Sequence, residues 1–408
     1  MDLDALWSSR TTQLKASEIR ELLKLTEKPD IISFAGGLPN PATFPSEEVA
    51  QATRRVTTTH AARALQYSTT EGILELRQAI AEHLGKDGMN VDPDHVLITN
   101  GSQQGLDLLG RVFIDSGDTI VTSNPTYLGA LQAFNYYGAK YAAAESDDDG
   151  IIPDSLEEVF ADLRKKGQRP KFLYLVPTFQ NPAGTVIPEN RRRRILDLAH
   201  EHDVLVIEDD PYGKLRFDGE PVPTMHAMDK ENRVVYLGTF SKILVPGFRL
   251  AWSVAPERIT RKMVISKQSV DLCTNAFTQF IAADLLAGGI VDRHLPTIIQ
   301  MYRRKRDIML SSMAKHFPKD GVHWTPTQGG LFTWASMPSH VNTTKMLEDA
   351  VAKHVAYVPG KSFFPSPTEG FNTMRLNFSH PTDENIAIGI ERLGDTMHEW
   401  IDKPRLAA

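Results

Sequence analysis

Polar and charged side chains follow the ends of three predicted strands in the middle of the sequence. They are Asn181 after residues 171–176, Asp209 and Tyr212 after residues 204–207, and Thr239, Ser241, Lys242 and Arg249 after residues 233–237. In open parallel sheets, ligand-binding groups collect beyond the carboxyl ends of the strands. A lysine preceded by hydroxyls and near an arginine suits a Schiff base with a phosphorylated aldehyde, and a carboxylate can partner a pyridinium nitrogen. These residue types predict pyridoxal 5′-phosphate as the cofactor.

A glycine turn after a fourth predicted strand adds a candidate phosphate site. Gly101, Ser102 and Gln103 follow the strand predicted over residues 95–99 and open a helix predicted over 102–113. The free backbone N–H groups and the dipole of a helix N-terminus favour a phosphate. Most such turns are only caps, so the turn alone is weak evidence.

Alternating strands and helices must position these residues. From about residue 95, short apolar runs alternate with helical stretches, which predicts an α/β fold with a mostly parallel sheet flanked by helices. After Pro256 the pattern is mainly helical to about Phe317, with strand-like segments at 331–335 and 355–358 and a final helix from about Asp383. A smaller α+β C-terminal domain is therefore expected.

We divide the chain into three parts. Residues 1–45 form an N-terminal arm, with a helix predicted over 17–25, that packs with the small domain. Residues 46–300 form the large cofactor-binding domain, and residues 301–408 form the small C-terminal domain.

Composition and charge exclude several classes of protein. The 408 residues carry 45 Lys and Arg against 51 Asp and Glu, a net charge of −6, which argues against a nucleic-acid partner. The run Arg191–Arg194 begins a predicted helix and is expected to form a solvated or ion-paired face. The single Cys273 allows no internal disulfide and favours a reducing compartment.

Membrane and metal sites are also not expected. The acidic start Met1–Asp4 is unlike a signal peptide, and no apolar stretch approaches the ~20 residues of a membrane span. His200 and His202 are two residues apart and do not share a helical face, so we predict no metal site. We expect a cytoplasmic protein.

Three ordered motifs resemble those of fold-type I aminotransferases of classes I and II. Residues 239–249 resemble the lysine signature of that family, and residues 181–184 and 209–212 resemble two more of its motifs. Segments 33–41, 65–68 and 101–104 are most similar to the 2-aminoadipate and kynurenine aminotransferase group. The resemblance extends from about residue 10 to 400 and implies an aspartate-aminotransferase-like fold.

The resemblance implies a role for each cofactor-site residue. Lys242 would bind the cofactor covalently and move a proton between Cα and C4′, and Asp209 would keep the ring nitrogen protonated, with Asp210 structural. Tyr212 and Asn181 would hydrogen-bond the ring's phenolic oxygen, and Tyr127 would stack on the ring. The phosphate would be held by Arg249, Thr239 and Ser241 together with the helix start at Gly101, Ser102 and Gln103.

Further residues are implied at the substrate. Arg375 would bind the α-carboxylate, and Asn181 and Gly37 would also contact the substrate. Tyr67 would reach the phosphate of a neighbouring subunit, which implies a homodimer with shared active sites. Arg20 resembles an arginine that swings over the pocket to a distal carboxylate, although an arginine on an exposed helix face is more often solvated.

The implied reaction is the transfer of an amino group from an L-α-amino acid to a 2-oxo acid such as 2-oxoglutarate by a ping-pong route. The donor would be 2-aminoadipate, an aromatic or kynurenine-type amino acid, or glutamate. The alternatives are a β-lyase on the same scaffold, a pseudoenzyme that only binds, or a transcription regulator with an aminotransferase-like domain. About 45 residues before the large domain are too few for a DNA-binding module as well as the arm.

Overall fold

An eight-stranded sheet forms the centre of the computed structural model, which describes residues 1–8, 10–11 and 30–402. In spatial order its strands are Val96–Thr99, Ala251–Val254, Val234–Thr239, Leu205–Asp210, Phe172–Leu175, Thr119–Asn124, Lys140–Asp147 and Gly150–Ile151. Ala251–Val254 is antiparallel to both of its neighbours and Gly150–Ile151 is antiparallel to Lys140–Asp147, while the other pairs are parallel. The predicted α/β fold with a mostly parallel sheet is confirmed. The last two strands of the spatial order were not predicted.

Helices cover both faces of this sheet, which explains why strands such as Phe172–Leu175 are buried and apolar along their whole length. Between residues 30 and 287 the helices are Ser46–Thr59, Ala61–Ala64, Leu74–Gly85, Ser102–Phe113, Leu128–Asn135, Pro153–Lys165, Glu189–Glu201, Met225–Met228, Glu257–Gln268 and Ala276–Ala287. Short 3-10 turns occur at Asp4–Leu6, Pro41–Thr43, Pro93–His95, Pro246–Phe248 and Gly360–Phe363. No helix in the part of the chain that the structure describes is long and apolar enough to cross a bilayer.

A second, antiparallel sheet follows the long helix Ile290–His316. Its strand order is His323–Trp324, Phe332–Ser336, Thr373–Asn377 and Val358–Pro359, and the helices Thr343–Ala352 and Asp383–Ile401 accompany it. The final helix packs on the long helix. The domain boundary predicted at residue 300 lies inside that long helix.

The N-terminal segment joins this second unit. Ile32–Ser33 pairs in parallel with Val355–Ala356, and the Asn377 backbone N–H donates to the carbonyl of Phe34 at 2.9 Å. The helix predicted over 17–25, with Arg20, lies outside the described residues.

The interpretation of Arg191–Arg194 as an ion-paired face is wrong for Arg192. Its three neighbours pair with surface carboxylates, Arg191 with Asp147, Arg193 with Glu189 and Arg194 with Glu157. Arg192 is fully buried and donates to the carbonyl of Ile187 at 2.8 Å and to the hydroxyl of Thr178 at 2.7 Å, with Glu208 at 3.9 Å. One helix carries all four arginines, and Arg192 lies on its buried face, as do Ile195 and Ala199 three and seven residues on.

Candidate active site

A cavity of about 230 Å³ lies beyond the carboxyl ends of the central parallel strands. Ten of the residues predicted for the site line it: Ser102, Gln103, Tyr127, Asn181, Asp209, Tyr212, Thr239, Ser241, Lys242 and Arg249. Leu38 and Pro39 of the N-terminal segment also line it. Motifs far apart in the sequence therefore meet in one chamber, as the strand-end rule predicts.

Lys242 presents an amine whose chemistry is altered by its surroundings. It follows the strand Val234–Thr239, and its Nζ donates a hydrogen bond to the carbonyl of Gly37 at 2.9 Å. Burial lowers the pKa of this amine to about 8, and the positive charges of Arg375 and Arg249 act in the same direction. A substantial neutral fraction near physiological pH makes the amine a competent nucleophile and base.

Asp209 offers one free carboxylate oxygen. It is 2% exposed, and the hydroxyl of Tyr174 donates to its Oδ2 at 2.8 Å. Its Oδ1 is buried with no hydrogen-bond partner among the described residues. Burial raises the pKa of Asp209 to about 7, while the Tyr174 hydrogen bond opposes the rise. A buried unpaired carboxylate oxygen is costly, which suits a site that a ligand N–H completes.

Asp210 is held by the protein itself. Successive side chains of a strand point to opposite faces. Asp210 accordingly accepts a hydrogen bond from the hydroxyl of Tyr236 at 3.1 Å and one from the backbone N–H of Gly213 at 2.9 Å. Both of its oxygens are thus occupied.

Hydroxyls, a guanidinium and a helix N-terminus form a donor cluster at the cavity. Gly101 adopts φ +77° directly before the helix Ser102–Phe113, and a Cβ there would lie 2.2 Å from an Nη atom of Arg249. Only glycine lets the guanidinium approach this closely. The Thr239 and Ser241 hydroxyls are 2.9 Å apart, and the Ser102 Oγ is buried without a partner in the described chain. The cluster is arranged to bind an anion.

Arg375 joins the small sheet to this cavity. It is 3% exposed and donates to Oδ1 of Asn181 at 2.9 Å and to the carbonyl of Ala35 at 2.8 Å. Its guanidinium carbon lies 4.3 Å from the ring centroid of Phe332 and 5.1 Å from that of Phe363. Burial lowers its pKa to about 10, so the group still carries its charge at neutral pH.

Tyr212 and Tyr127 bring phenols to the same chamber. Burial raises the pKa of both hydroxyls, and a hydrogen bond with Asn181 partly opposes the rise at Tyr212. Both therefore remain neutral donors at physiological pH. The side-chain amide of Gln103 does not point freely into the chamber, because it donates a hydrogen bond to the carbonyl of Gly129 at 2.9 Å.

Tyr67, which was predicted for the site, does not line this chamber. It is 80% exposed and lines a separate surface cleft with Arg63 and Gln66. Arg20 lies outside the described residues, so the structure does not place it. The carbonyl of Gly37 accepts a hydrogen bond from Nζ of Lys242.

The sequence analysis missed residues that contact the predicted ones. Tyr174 carries the one hydroxyl in the buried strand Phe172–Leu175, and that contrast could have indicated a polar partner. Ala35, Phe332 and Phe363 gave no such signal, because a carbonyl and two core-type rings become site components only through tertiary contact.

Comparisons with known proteins agree with this chemistry. The family model described as aminotransferase class I and II matches residues 29–393. The chain is 50% identical over 404 residues to aromatic-amino-acid aminotransferase 1 of Thermococcus litoralis, covering 99% of this chain and 96% of the relative.

Two solved structures are also similar along nearly their whole length. Pyrococcus horikoshii kynurenine aminotransferase in complex with PMP has a TM-score of 0.95 and 48% identity, covering 98% of each chain. The α-aminoadipate aminotransferase of Thermus thermophilus, complexed with N-(5′-phosphopyridoxyl)-L-leucine, has a TM-score of 0.90 and 38% identity, covering 98% of this chain and 99% of that chain.

Proposed function

The chain belongs to the aminotransferase class I and II family and is a transaminase that uses pyridoxal 5′-phosphate, and we propose that the cavity around Lys242 is its active site. The observation that carries the proposal is the convergence of three groups. An amine with a lowered pKa and a carboxylate with a free oxygen line one cavity, and Asn181 of that cavity is bound to Arg375. The predicted family, cofactor and reaction class are confirmed.

Unsatisfied groups in the cavity fit this cofactor. The free Oδ1 of Asp209 is suited to accept the N–H of a protonated pyridine ring, and the unpartnered Ser102 Oγ is suited to donate to a phosphate. Arg249, Thr239, Ser241, Gln103 and the helix start at Gly101 would complete the phosphate site. When bound, pyridoxal phosphate supplies an electron sink that stabilises negative charge at the substrate Cα.

Lys242 would carry the cofactor and handle the proton. Its Nζ would hold the aldehyde carbon and, once the substrate amine takes that place, would remove the proton from Cα and return it on the cofactor side. The carbonyl of Gly37 holds the free amine at 2.9 Å, so the base stays near the cavity when it is not bonded. Tyr212 and Asn181 would donate to the ring's phenolic oxygen, and Tyr127 would stack on the ring.

Arg375 would bind the substrate α-carboxylate. An arginine gives two parallel hydrogen bonds and so fixes the orientation of the Cα–H bond. Its Nε is buried without a partner in the described part of the chain, which leaves a donor free for a carboxylate. The rings of Phe332 and Phe363 cover the guanidinium and exclude water, which strengthens the ion pair.

The amino donor would be an aromatic, kynurenine-type or 2-aminoadipate amino acid, or glutamate, and the acceptor a 2-oxo acid such as 2-oxoglutarate. Similarity to aromatic, kynurenine and α-aminoadipate aminotransferases supports this range. Two half-reactions in one cavity imply a ping-pong route. Arg20 would meet a distal carboxylate, so Arg20→Ala should raise KM for 2-aminoadipate or glutamate and leave aromatic donors unchanged.

A donor panel tests the reaction on the purified, cofactor-loaded protein. We expect glutamate and aromatic donors to bleach the aldehyde absorbance and 2-oxo acids to restore it. Parallel double-reciprocal lines would support the ping-pong route. Release of pyruvate and ammonia from a donor with a β-leaving group, without restoration by 2-oxo acids, would instead show β-lyase activity and contradict the proposal.

We also propose a homodimer in which Tyr67 reaches the phosphate site of the partner subunit. The support is an exposed apolar surface that includes Leu65 at 71% and Tyr67 at 80% exposure. Mixing inactive Lys242→Ala and Tyr67→Ala subunits should restore activity, because one site of each hybrid is intact. Absence of restoration in confirmed hybrids would contradict the shared site.

The three-part division of the chain stays a proposal. Two separate sheets and the pairing of Ile32–Ser33 with Val355–Ala356 support an arm that packs with a small C-terminal domain. The single Cys273 supports a cytoplasmic location, and the net charge of −6 argues against a nucleic-acid partner.

A further inference from the structure

We propose that Tyr174 is a positioning residue: its hydroxyl occupies one carboxylate oxygen of Asp209, which sets the orientation of the carboxylate and leaves the other oxygen for the cofactor ring. The inference rests on the role proposed above for Asp209. It assigns a task to a residue that does not itself line the cavity.

The two residues face each other across adjacent strands. Tyr174 lies in Phe172–Leu175, opposite Ile207 of the neighbouring parallel strand, and Asp209 stands two residues further along that strand. The hydroxyl of Tyr174 reaches Oδ2 of Asp209 at 2.8 Å, and both residues are buried, at 0% and 2% exposure. This bond fixes the rotation of the carboxylate.

Packing fixes the tyrosine ring in turn. The ring of Phe134 meets it edge to face at 5.8 Å between centroids. Because a phenylalanine at position 174 would keep this contact, the hydroxyl can be removed without opening a large cavity.

Tyr174 also supplies a stabilisation that the other groups around Asp209 do not. Burial raises the pKa of the carboxyl, the charge of Asp210 raises it further, and the Tyr174 hydrogen bond lowers it. Tyr127 and Tyr212, which also face Asp209, stay neutral because burial raises their own pKa values. Burial likewise raises the pKa of Tyr174 well above its ordinary value, so its hydroxyl remains a donor.

A charged hydrogen-bond acceptor is needed at the ring nitrogen. A carboxylate keeps a pyridine nitrogen protonated, whereas a neutral carboxyl does so less effectively. Loss of a hydrogen bond to a charged group should therefore shift the titration of Asp209 and weaken cofactor binding about tenfold or more.

The test uses Tyr174→Phe, Asp209→Asn and the double variant. Two readouts are independent of turnover: the titration of the Asp209 carboxyl in the apoprotein, followed by 13C NMR, and the dissociation constant of pyridoxal phosphate. We expect Tyr174→Phe to move the titration upward by about one pH unit and to weaken cofactor binding about tenfold. In the Asp209→Asn background the same change should alter binding by less than about twofold.

Tyr357→Phe is the matched control. Tyr357 is also fully buried, and its hydroxyl donates to the carbonyl of Thr343 at 2.6 Å, remote from Asp209. It should leave both readouts unchanged. A site-specific 3-fluorotyrosine at position 174, a stronger donor, should move the titration downward and provides a second arm should the phenylalanine variant fold poorly.

Two results would overturn the inference: an unshifted Asp209 titration in Tyr174→Phe, or an equal loss of cofactor affinity with and without the Asp209 charge. The second result would mean that the tyrosine acts only through packing. If the wild-type protein itself bound no cofactor at Lys242, the proposed function would fail instead, whatever Tyr174 does.

Discussion

The two ends of the proposed active site, one for the cofactor and one for the substrate carboxylate, are built in different ways. At the cofactor end, groups such as Asp209, Thr239 and Ser241 come from the ends of adjacent strands in one sheet. At the carboxylate end, Arg375 of the small sheet binds Asn181, 194 positions away, and the carbonyl of Ala35, 340 positions away. The cofactor end depends on the order of strands within one sheet. The carboxylate end depends on how the small sheet, the main sheet and the N-terminal segment pack together.

The difference extends to electrostatics. The cofactor end holds a buried carboxylate with an unpaired oxygen, which costs folding free energy until a ligand binds. At the carboxylate end two hydrogen bonds and two aromatic faces engage the buried guanidinium, and its Nε has no partner among the described residues. We therefore expect variants at the cofactor end to change cofactor binding and apoprotein stability, and variants at the carboxylate end to change substrate binding.

Lys242→Ala should have the largest effect, because both the covalent attachment and the proton transfer depend on one amine. Activity should fall by at least about 1,000-fold, and the absorbance of the covalently bound aldehyde should disappear. Lys262→Ala, at an exposed position, is the matched control and should behave as wild type. If the cofactor were still covalently bound in Lys242→Ala, another residue would have to be its attachment site.

Asp209→Asn should change the pH dependence of apoprotein stability. Because the folded pKa is raised from 3.8 to about 7, Asp209 contributes stability below its unfolded pKa and loses it as the pH rises toward 7. Between about pH 4 and pH 7 the free energy of unfolding of the wild-type apoprotein should thus fall by up to roughly 4 kcal/mol more than that of the variant. Urea unfolding at several pH values measures this difference.

The buried neighbour Glu208 does not affect the comparison between wild type and Asp209→Asn. Burial raises its pKa to about 7 as well, but it is present in both proteins, so its contribution cancels. If the free energies of unfolding of wild type and Asp209→Asn changed with pH in parallel, burial would not raise the pKa of Asp209.

Arg375→Lys should separate the two ends. It keeps a positive charge but loses the planar pair of donors, so KM for the amino acid should rise roughly 100-fold while the dissociation constant of the cofactor stays the same. Steady-state kinetics and cofactor titration check this, with the exposed Arg304→Lys as control. A matching loss of cofactor affinity would remove the distinction between the ends.

Gly101→Ala should have the smallest effect, confined to the cofactor end. A Cβ at φ +77° is strained and would push the Arg249 guanidinium away. Cofactor binding should weaken roughly tenfold with KM for the amino acid unchanged. The control is Gly88→Ala, because Gly88 also has a positive φ but has open space around it. This variant should leave cofactor binding unchanged.

How much could be predicted from the sequence follows the same division. Local patterns were sufficient for the mostly parallel sheet and for the strand-end residues that line the cavity, whereas Tyr127 was predicted only through the family resemblance. The strand Lys140–Asp147 was missed because its run of alanines and charges lacks the usual apolar signal. Arg192 was misplaced because a row of arginines gives no indication of which one faces the core.

Individual side-chain contacts between distant residues could not be predicted. The bond from Tyr174 to Asp209 depends on strand register, and the rings around Arg375 depend on how the small sheet meets the main one. No local pattern encodes either relation.

The N-terminal segment connects proton handling to substrate exchange. Its backbone is bonded to the small sheet at Phe34, it accepts from Arg375 through Ala35, and three residues after Phe34 the carbonyl of Gly37 accepts from Lys242. A displacement of this segment would therefore alter the contacts of the Lys242 amine and of the Arg375 guanidinium together.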